Sequence, residues 1–226
     1  MNMRSVLFVI AGMIGFAFSF VSTPRAYAAE SAPSDLKATL AHLQRHYQET
    51  DSFRAKFKET VTRAGATPQL REGTISYRKP GRMHWEFTGD QPETVVSDGT
   101  TIYDYDPGLN QVVETPLKQA FKTQGAAAFL LGVGNVQRDF DASSPPSSPN
   151  DSLIYLLLTP KGGGDKVALG LDPRTYNIVA LALTDSLGNT TALSFSDIQT
   201  NLPLASSMFA FKVPDGADIV GPQTSR

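Results

Sequence analysis

The run from Gly73 to Phe87 constrains this chain more than any other segment. It reads Gly-Thr-Ile-Ser-Tyr-Arg-Lys-Pro-Gly-Arg-Met-His-Trp-Glu-Phe. Ile75, Tyr77, Met83, Trp85 and Phe87 fall on one side, and Arg78, Arg82, His84 and Glu86 on the other. A period of two with one apolar and one wet side marks an antiparallel hairpin lying over a core. Lys79-Pro80-Gly81 supplies its turn. The only Trp of the chain lies on the apolar side, so the use made of that face decides the function.

The same texture runs through the rest of the chain. One helix opens it, with Ser34 as N-cap, Asp35 in the first turn, and a stripe of Leu36, Leu40, Leu43 and Tyr47 as its packed face. Strands are expected over Phe53–Thr62, Arg71–Lys79, Arg82–Phe87, Thr94–Ser97, Thr100–Tyr105 and Gln111–Glu114. Asp98-Gly99 and Asp106-Pro107-Gly108 turn between them. After Pro116 the texture changes. Leu117–Lys122 and the short apolar Gly125–Val133 read as helices, and Ala142–Asp151 as a polar loop. Four strands follow, Leu153–Thr159, Lys166–Leu171, Ile178–Thr184 and Thr190–Ile198, and Phe209–Val213 is expected as the last. The fold class is mainly β with α: one antiparallel meander with a helix in front and helices in the middle.

Residues 1–28 have the pattern of a cleaved secretory leader. Arg4 sits ahead of an apolar run from Val6 to Val21, Pro24 breaks it, and Ala26-Tyr27-Ala28 forms the cleavage site. Residues 29–226 are then a single domain outside the cytosol. The chain has no Cys, hence no disulfide, thiol nucleophile or thiolate metal site. Loss of Arg4 and Arg25 lowers the formal net charge from −2 to −4, which excludes a nucleic-acid footprint.

Few residues are arranged for catalysis. His42 and His46 share a helix face, but Leu43 stands where the zinc-protease motif needs Glu. Gly132-Val133-Gly134 lacks the third glycine of a nucleotide loop. Asp104 with Asp106, and Asp139 with Asp141, read as turn-makers. No serine stands in a nucleophile elbow. No cofactor or metal is expected. What remains is the apolar face. It is either filled core or a partly covered cavity for an apolar ligand, and the pattern alone leaves the two readings level.

Several segments together resemble the LolA family of outer-membrane lipoprotein carriers. They are Phe53-Arg54-Ala55-Lys56-Phe57, Gly73 to Phe87, Val96-Ser97-Asp98-Gly99, Tyr105-Asp106-Pro107, Leu158-Thr159-Pro160-Lys161 and Phe209 to Gly216. The resemblance implies an open half-barrel of antiparallel strands covered by helical lids. It implies a monomeric, non-enzymatic periplasmic chaperone whose partners are lipoproteins, an inner-membrane ABC release complex and an outer-membrane acceptor. Ile75, Tyr77, Trp85 and Phe87 would line the acyl-binding face, with Phe129 and Leu130 over its mouth. Lys79 or Arg78 would latch the lid, and Met83 would serve partner docking. A lipid-binding or envelope-stress sensor is the alternative expectation, and a secreted hydrolase the more remote one.

Overall fold

A computed structural model describes residues 33–123, 135–145 and 152–221. The expected leader, the helix expected over Gly125–Val133 and the remainder of the Pro/Ser-rich segment lie outside them. Helix α1 (Pro33–Glu49) begins one residue before the expected cap. Six strands follow: β1 (Ser52–Thr62), β2 (Gln69–Arg78), β3 (Arg82–Thr88), β4 (Glu93–Asp98), β5 (Thr101–Asp106) and β6 (Gln111–Pro116). Next come α2 (Leu117–Thr123), a single turn α3 (Val136–Asp139) and β7 (Phe140–Ser143). The chain continues as β8 (Ile154–Pro160), β9 (Lys166–Leu171), β10 (Ile178–Thr184) and β11 (Thr190–Thr200), and ends in β12 (Asp218–Val220).

The strands form one open sheet in the order β12-β6-β5-β4-β3-β2-β1-β11-β10-β9-β8-β7. It is two meanders joined where the long strands β1 and β11 pair, Phe57 opposite Phe195. Every pairing is antiparallel except β12 on β6, which is parallel. The described strands leave β12 and β7 as free edges, so the sheet curves without closing into a barrel.

Alternation places one face of this sheet against the helices. On the β7–β10 half, Leu40 and Leu43 of α1 bury against Phe140, Leu156, Leu169 and Leu181. On the β1–β5 half, Leu117 and Ala120 of α2 bury against the other cluster, which includes Phe57, Ile75, Tyr77 and Phe87. Leu193 and Phe195 of β11 pack against both clusters. Polar ties fix α1: the Ile178 N–H donates to the Tyr47 hydroxyl, and the Val136 N–H to Gln44 Oε1. Burial and this bond together set the Tyr47 phenol, with burial dominant and its pKa pushed up to about 12. At the β2–β3 turn Gly81 has φ +64°, and a Cβ there would lie 2.8 Å from Leu117 Cδ2. Glycine is therefore needed both for the turn and for the approach of α2.

Two expectations are corrected. Phe209–Val213 is not a strand. A 3-10 turn spans Ser206–Phe209, and the chain then runs extended over the outer face of the sheet. Its alternating aromatics found a face to bury, not a ladder to join. Leu204 and Phe209 are buried, and the Phe211 ring stacks 5.2 Å from Tyr103. The side of the hairpin expected to be wet is thus partly covered: His84 is half-buried, with Nδ1 3.0 Å from the Met208 carbonyl. Second, Ala142 and Ser143, expected in the polar loop, complete β7.

Candidate functional site

Ladder register turns the inner face of β1–β5 into rows. The first row is Phe53, Tyr77, Met83, Ser97 and Ile102. The second is Ala55, Ile75, Trp85, Val95 and Asp104. The third is Phe57, Gly73, Phe87 and Glu93, continued by Phe195 on the other side of β1. The fourth is Glu59 and Arg71, with Leu193 beside Glu59. Directly opposed pairs of this kind are the unit of sheet stabilisation.

Gly73 leaves a gap in the third row, and the Phe57 ring fills it. A Cβ at Gly73 would stand 3.0 Å from Phe57 Cζ and would collide with the Glu86 carbonyl. Phe57 meets Trp85 edge-on at 4.8 Å and Phe87 edge-on at 5.0 Å. Each such pair adds about 1 kcal/mol to its area burial. Phe57, Ile75, Tyr77 and Phe87 are buried. Phe53, Trp85, Leu193, Phe195 and Ile198 form a half-buried seam along the second cluster, and Leu193 and Phe195 also pack against the first.

The rows end in charge. Arg71 donates from Nε to Glu59 Oε2 at 2.7 Å and from Nη1 to Glu93 Oε2 at 2.6 Å. Its guanidinium lies 4.0 Å from the centre of the Phe87 ring. Burial opposes its charge, but Glu59 and Glu93 hold the guanidinium pKa above its ordinary value. Burial, then the neighbouring Asp104, pushes Glu93 up to about 7 against the pull of Arg71. The side-chain hydrogen bond with Asp104 adds to this rise, and Glu93 Oε1 itself is buried with no hydrogen-bond partner among the described residues. Asp104 is therefore not a turn-maker: it is buried, 6% exposed, in this network. Asp106 does shape its turn, accepting from the N–H of Gly108 and Leu109. Asp139 accepts from the Asn135 N–H at α3.

The two basic residues of the hairpin diverge. Lys79 Nζ donates to the carbonyls of Tyr47 at 2.7 Å and Gln48 at 2.9 Å. These belong to the last turn of α1, whose carbonyls lack helical partners and whose dipole favours a cation. Arg78 points to the other side of the sheet. It donates to the Leu204 carbonyl at 2.6 Å and to Ser206 Oγ at 3.0 Å, with its guanidinium 5.2 Å from the Phe209 ring centre. Of the pair, then, Lys79 touches α1 on the inner face, and Arg78 holds the C-terminal segment.

Met83 is 8% exposed, packed in the inner cluster opposite Tyr77. Its side chain therefore belongs to the inner apolar face of the hairpin. Phe129 and Leu130 lie outside the described residues. His42 is exposed and stacks on Tyr176, and His46 Nε2 is 2.9 Å from Asn177 Oδ1. Among the described residues no group of three His, Cys, Asp or Glu is placed to hold a metal. The charged network escaped the sequence reading, although Glu59 alternating in register with Phe53, Ala55 and Phe57 was a usable signal of an inward carboxylate.

An open antiparallel sheet that carries its helices on one apolar face, with a half-buried aromatic seam, defines a sheet-and-lid class of protein. A family model described as outer membrane lipoprotein carrier protein LolA matches residues 48–212. An outer-membrane lipoprotein carrier protein of Methylobacillus flagellatus is 34% identical over 183 residues, 79% of this chain and 87% of the relative. Another, from Cupriavidus taiwanensis, is 34% identical over 197 residues, 85% of this chain and 92% of the relative. The crystal structure of an uncharacterized conserved protein from Thermus thermophilus superposes with TM-score 0.53 at 10% identity, over 83% of this chain and 99% of that one, a likeness of fold. The chain belongs to the LolA family of outer-membrane lipoprotein carrier proteins.

Proposed function

We propose that this protein is a periplasmic carrier that takes lipoproteins by their acyl chains from an inner-membrane ABC release complex and hands them to an outer-membrane acceptor. The observation that carries the reading is the seam of Phe53, Trp85, Leu193, Phe195 and Ile198, apolar yet half-buried, continuous with the buried rows around it. Each acyl methylene sheltered from water contributes about 0.8 kcal/mol, so a face of this kind holds lipid without any specific hydrogen bond. That suits cargo that shares only its lipid. Residues 1–28 act as the leader and residues 29–226 as one monomeric carrier domain.

Ile75, Tyr77, Trp85 and Phe87 form the cargo face in this reading, with Phe129 and Leu130 folding over it. Lys79 is the latch that holds α1 in place, and Arg78 is a support for the outer-face segment. A covering helix competes with cargo for the same apolar surface, so closure weakens net binding and permits release without catalysis or a cofactor. The test is lipoprotein release from spheroplasts. Purified protein should move newly made lipoproteins into the soluble fraction as about a 1:1 complex. Retention of all lipoproteins in the inner membrane with the protein present in excess defeats the proposal.

A further inference from the structure

We propose that the network of Glu59, Arg71, Glu93 and Asp104 is a polar stop that sets how much acyl chain the inner face accepts. This inference rests on the carrier reading and adds a specificity determinant to it. The geometry is a diagonal. Asp104 closes the second row, Glu93 the third, and Glu59 with Arg71 forms the fourth. Every other member of the first three rows is apolar except Ser97 and the bare Gly73. The boundary is abrupt: the Arg71 guanidinium sits directly on the Phe87 ring, and its two carboxylate partners flank it from β1 and β4.

Such a network is a poor device for stability alone. Buried ion pairs gain little over apolar residues of similar size, whereas removing one partner is costly. Here one guanidinium pairs with two carboxylates, a third carboxyl, Asp104, adjoins Glu93, and Glu93 Oε1 is buried with no hydrogen-bond partner among the described residues. An acyl chain advancing past Phe87 would displace the remaining water from groups that it cannot hydrogen-bond. A chain that stops at Phe87 meets mainly aromatic and aliphatic carbon, with Ser97 Oγ and the Tyr77 hydroxyl as the polar exceptions in the first row. The network thus leaves attraction for the first part of a chain intact and removes it for the rest.

The test uses Trp85, the only Trp, which is half-buried among the rows. Its fluorescence reports binding of N-acylglycinamides, neutral probes with saturated chains of increasing length. In the wild-type protein affinity should rise by about 4-fold per methylene and then level off at one chain length. In the variant carrying Glu59→Leu, Arg71→Met, Glu93→Leu and Asp104→Val together, the break should move to longer chains. A second arm needs no variant. Chains just long enough to reach the break should bind wild type more tightly when they end in a hydroxyl than when they end in a methyl, because the hydroxyl can bond the network. A continuous rise in wild type, or a break that stays in place in the folded variant, overturns the stop while leaving the carrier reading standing. Equal affinity for the two chain ends at the break also overturns it. No response of Trp85 to any chain length overturns the carrier reading, and the stop with it.

Discussion

Removing the cation from the inner-face network gives the sharpest energetic prediction. Among the described residues Arg71 is the cation paired with both Glu59 and Glu93, with side-chain exposures of 16%, 4% and 6% respectively. In Arg71→Met the methionine fills the stem volume, but two buried carboxylates lose their donors. Breaking a buried pair in this way costs about 3–5 kcal/mol. In a domain of this size, that is a fall in Tm of about 10 °C. The loss must also depend on pH. Without the guanidinium Glu93, already raised, loses the pull of Arg71 and rises further, so the folded state binds more protons than the unfolded state as pH rises. Stability is then fully present below the unfolded carboxylate range and is lost as pH climbs through the raised values. The wild-type protein shows a milder form of this, since burial and Asp104 already push Glu93 to about 7. Thermal unfolding followed by circular dichroism from about pH 5 to about pH 8 measures both effects. Arg71→Met should lose more at the alkaline end, and adding Glu59→Gln and Glu93→Gln should flatten the profile. A Tm within a degree of wild type at the alkaline end would refute the network's electrostatic account.

Lys79→Leu should cost about 1–2 kcal/mol through its two bonds to α1 carbonyls, and hydrogen exchange should rise in the last turn of α1 before anywhere else. Met83→Glu should destabilise the whole fold by about 3 kcal/mol, because the carboxyl enters the first apolar row without a partner; urea unfolding reads this directly. Phe211→Ala should cost about 2 kcal/mol by unstacking Tyr103, and limited proteolysis should then cut between Leu204 and Gly216 first.

The sequence carried most of the sheet. Lys166–Leu171 and Ile178–Thr184 match their strands residue for residue, because period-two apolarity bounded by Gly or Asp-Pro turns leaves little freedom. The inner positions of the Gly73–Phe87 hairpin were legible for the same reason, since register decides the face of every residue at once. The outer segment was not legible. Phe209, Phe211 and Val213 alternate as a strand would, and only the tertiary structure tells packing on an outer face from pairing at an edge. The network was hidden because Glu59, Arg71, Glu93 and Asp104 are far apart in the chain, and only register brings them together. Lys79 and Arg78 stand side by side in the sequence with nothing to tell their partners apart, and the acceptors of Lys79 on α1 follow from where the first helix ends, which is a tertiary fact.

The central claim is that lipid acyl chains lie on the inner face, and site-specific photocrosslinking tests it most directly. A benzophenone side chain at Phe195, half-buried on the inner face, should form an adduct with triacylated lipoprotein during transfer from membranes. The same group at the neighbouring Ser194, exposed on the outer face, should not, and lipoprotein lacking its acyl chains should crosslink at neither position. Adducts of equal yield at the two positions, or an adduct at Phe195 that persists with the non-acylated protein, would contradict the account.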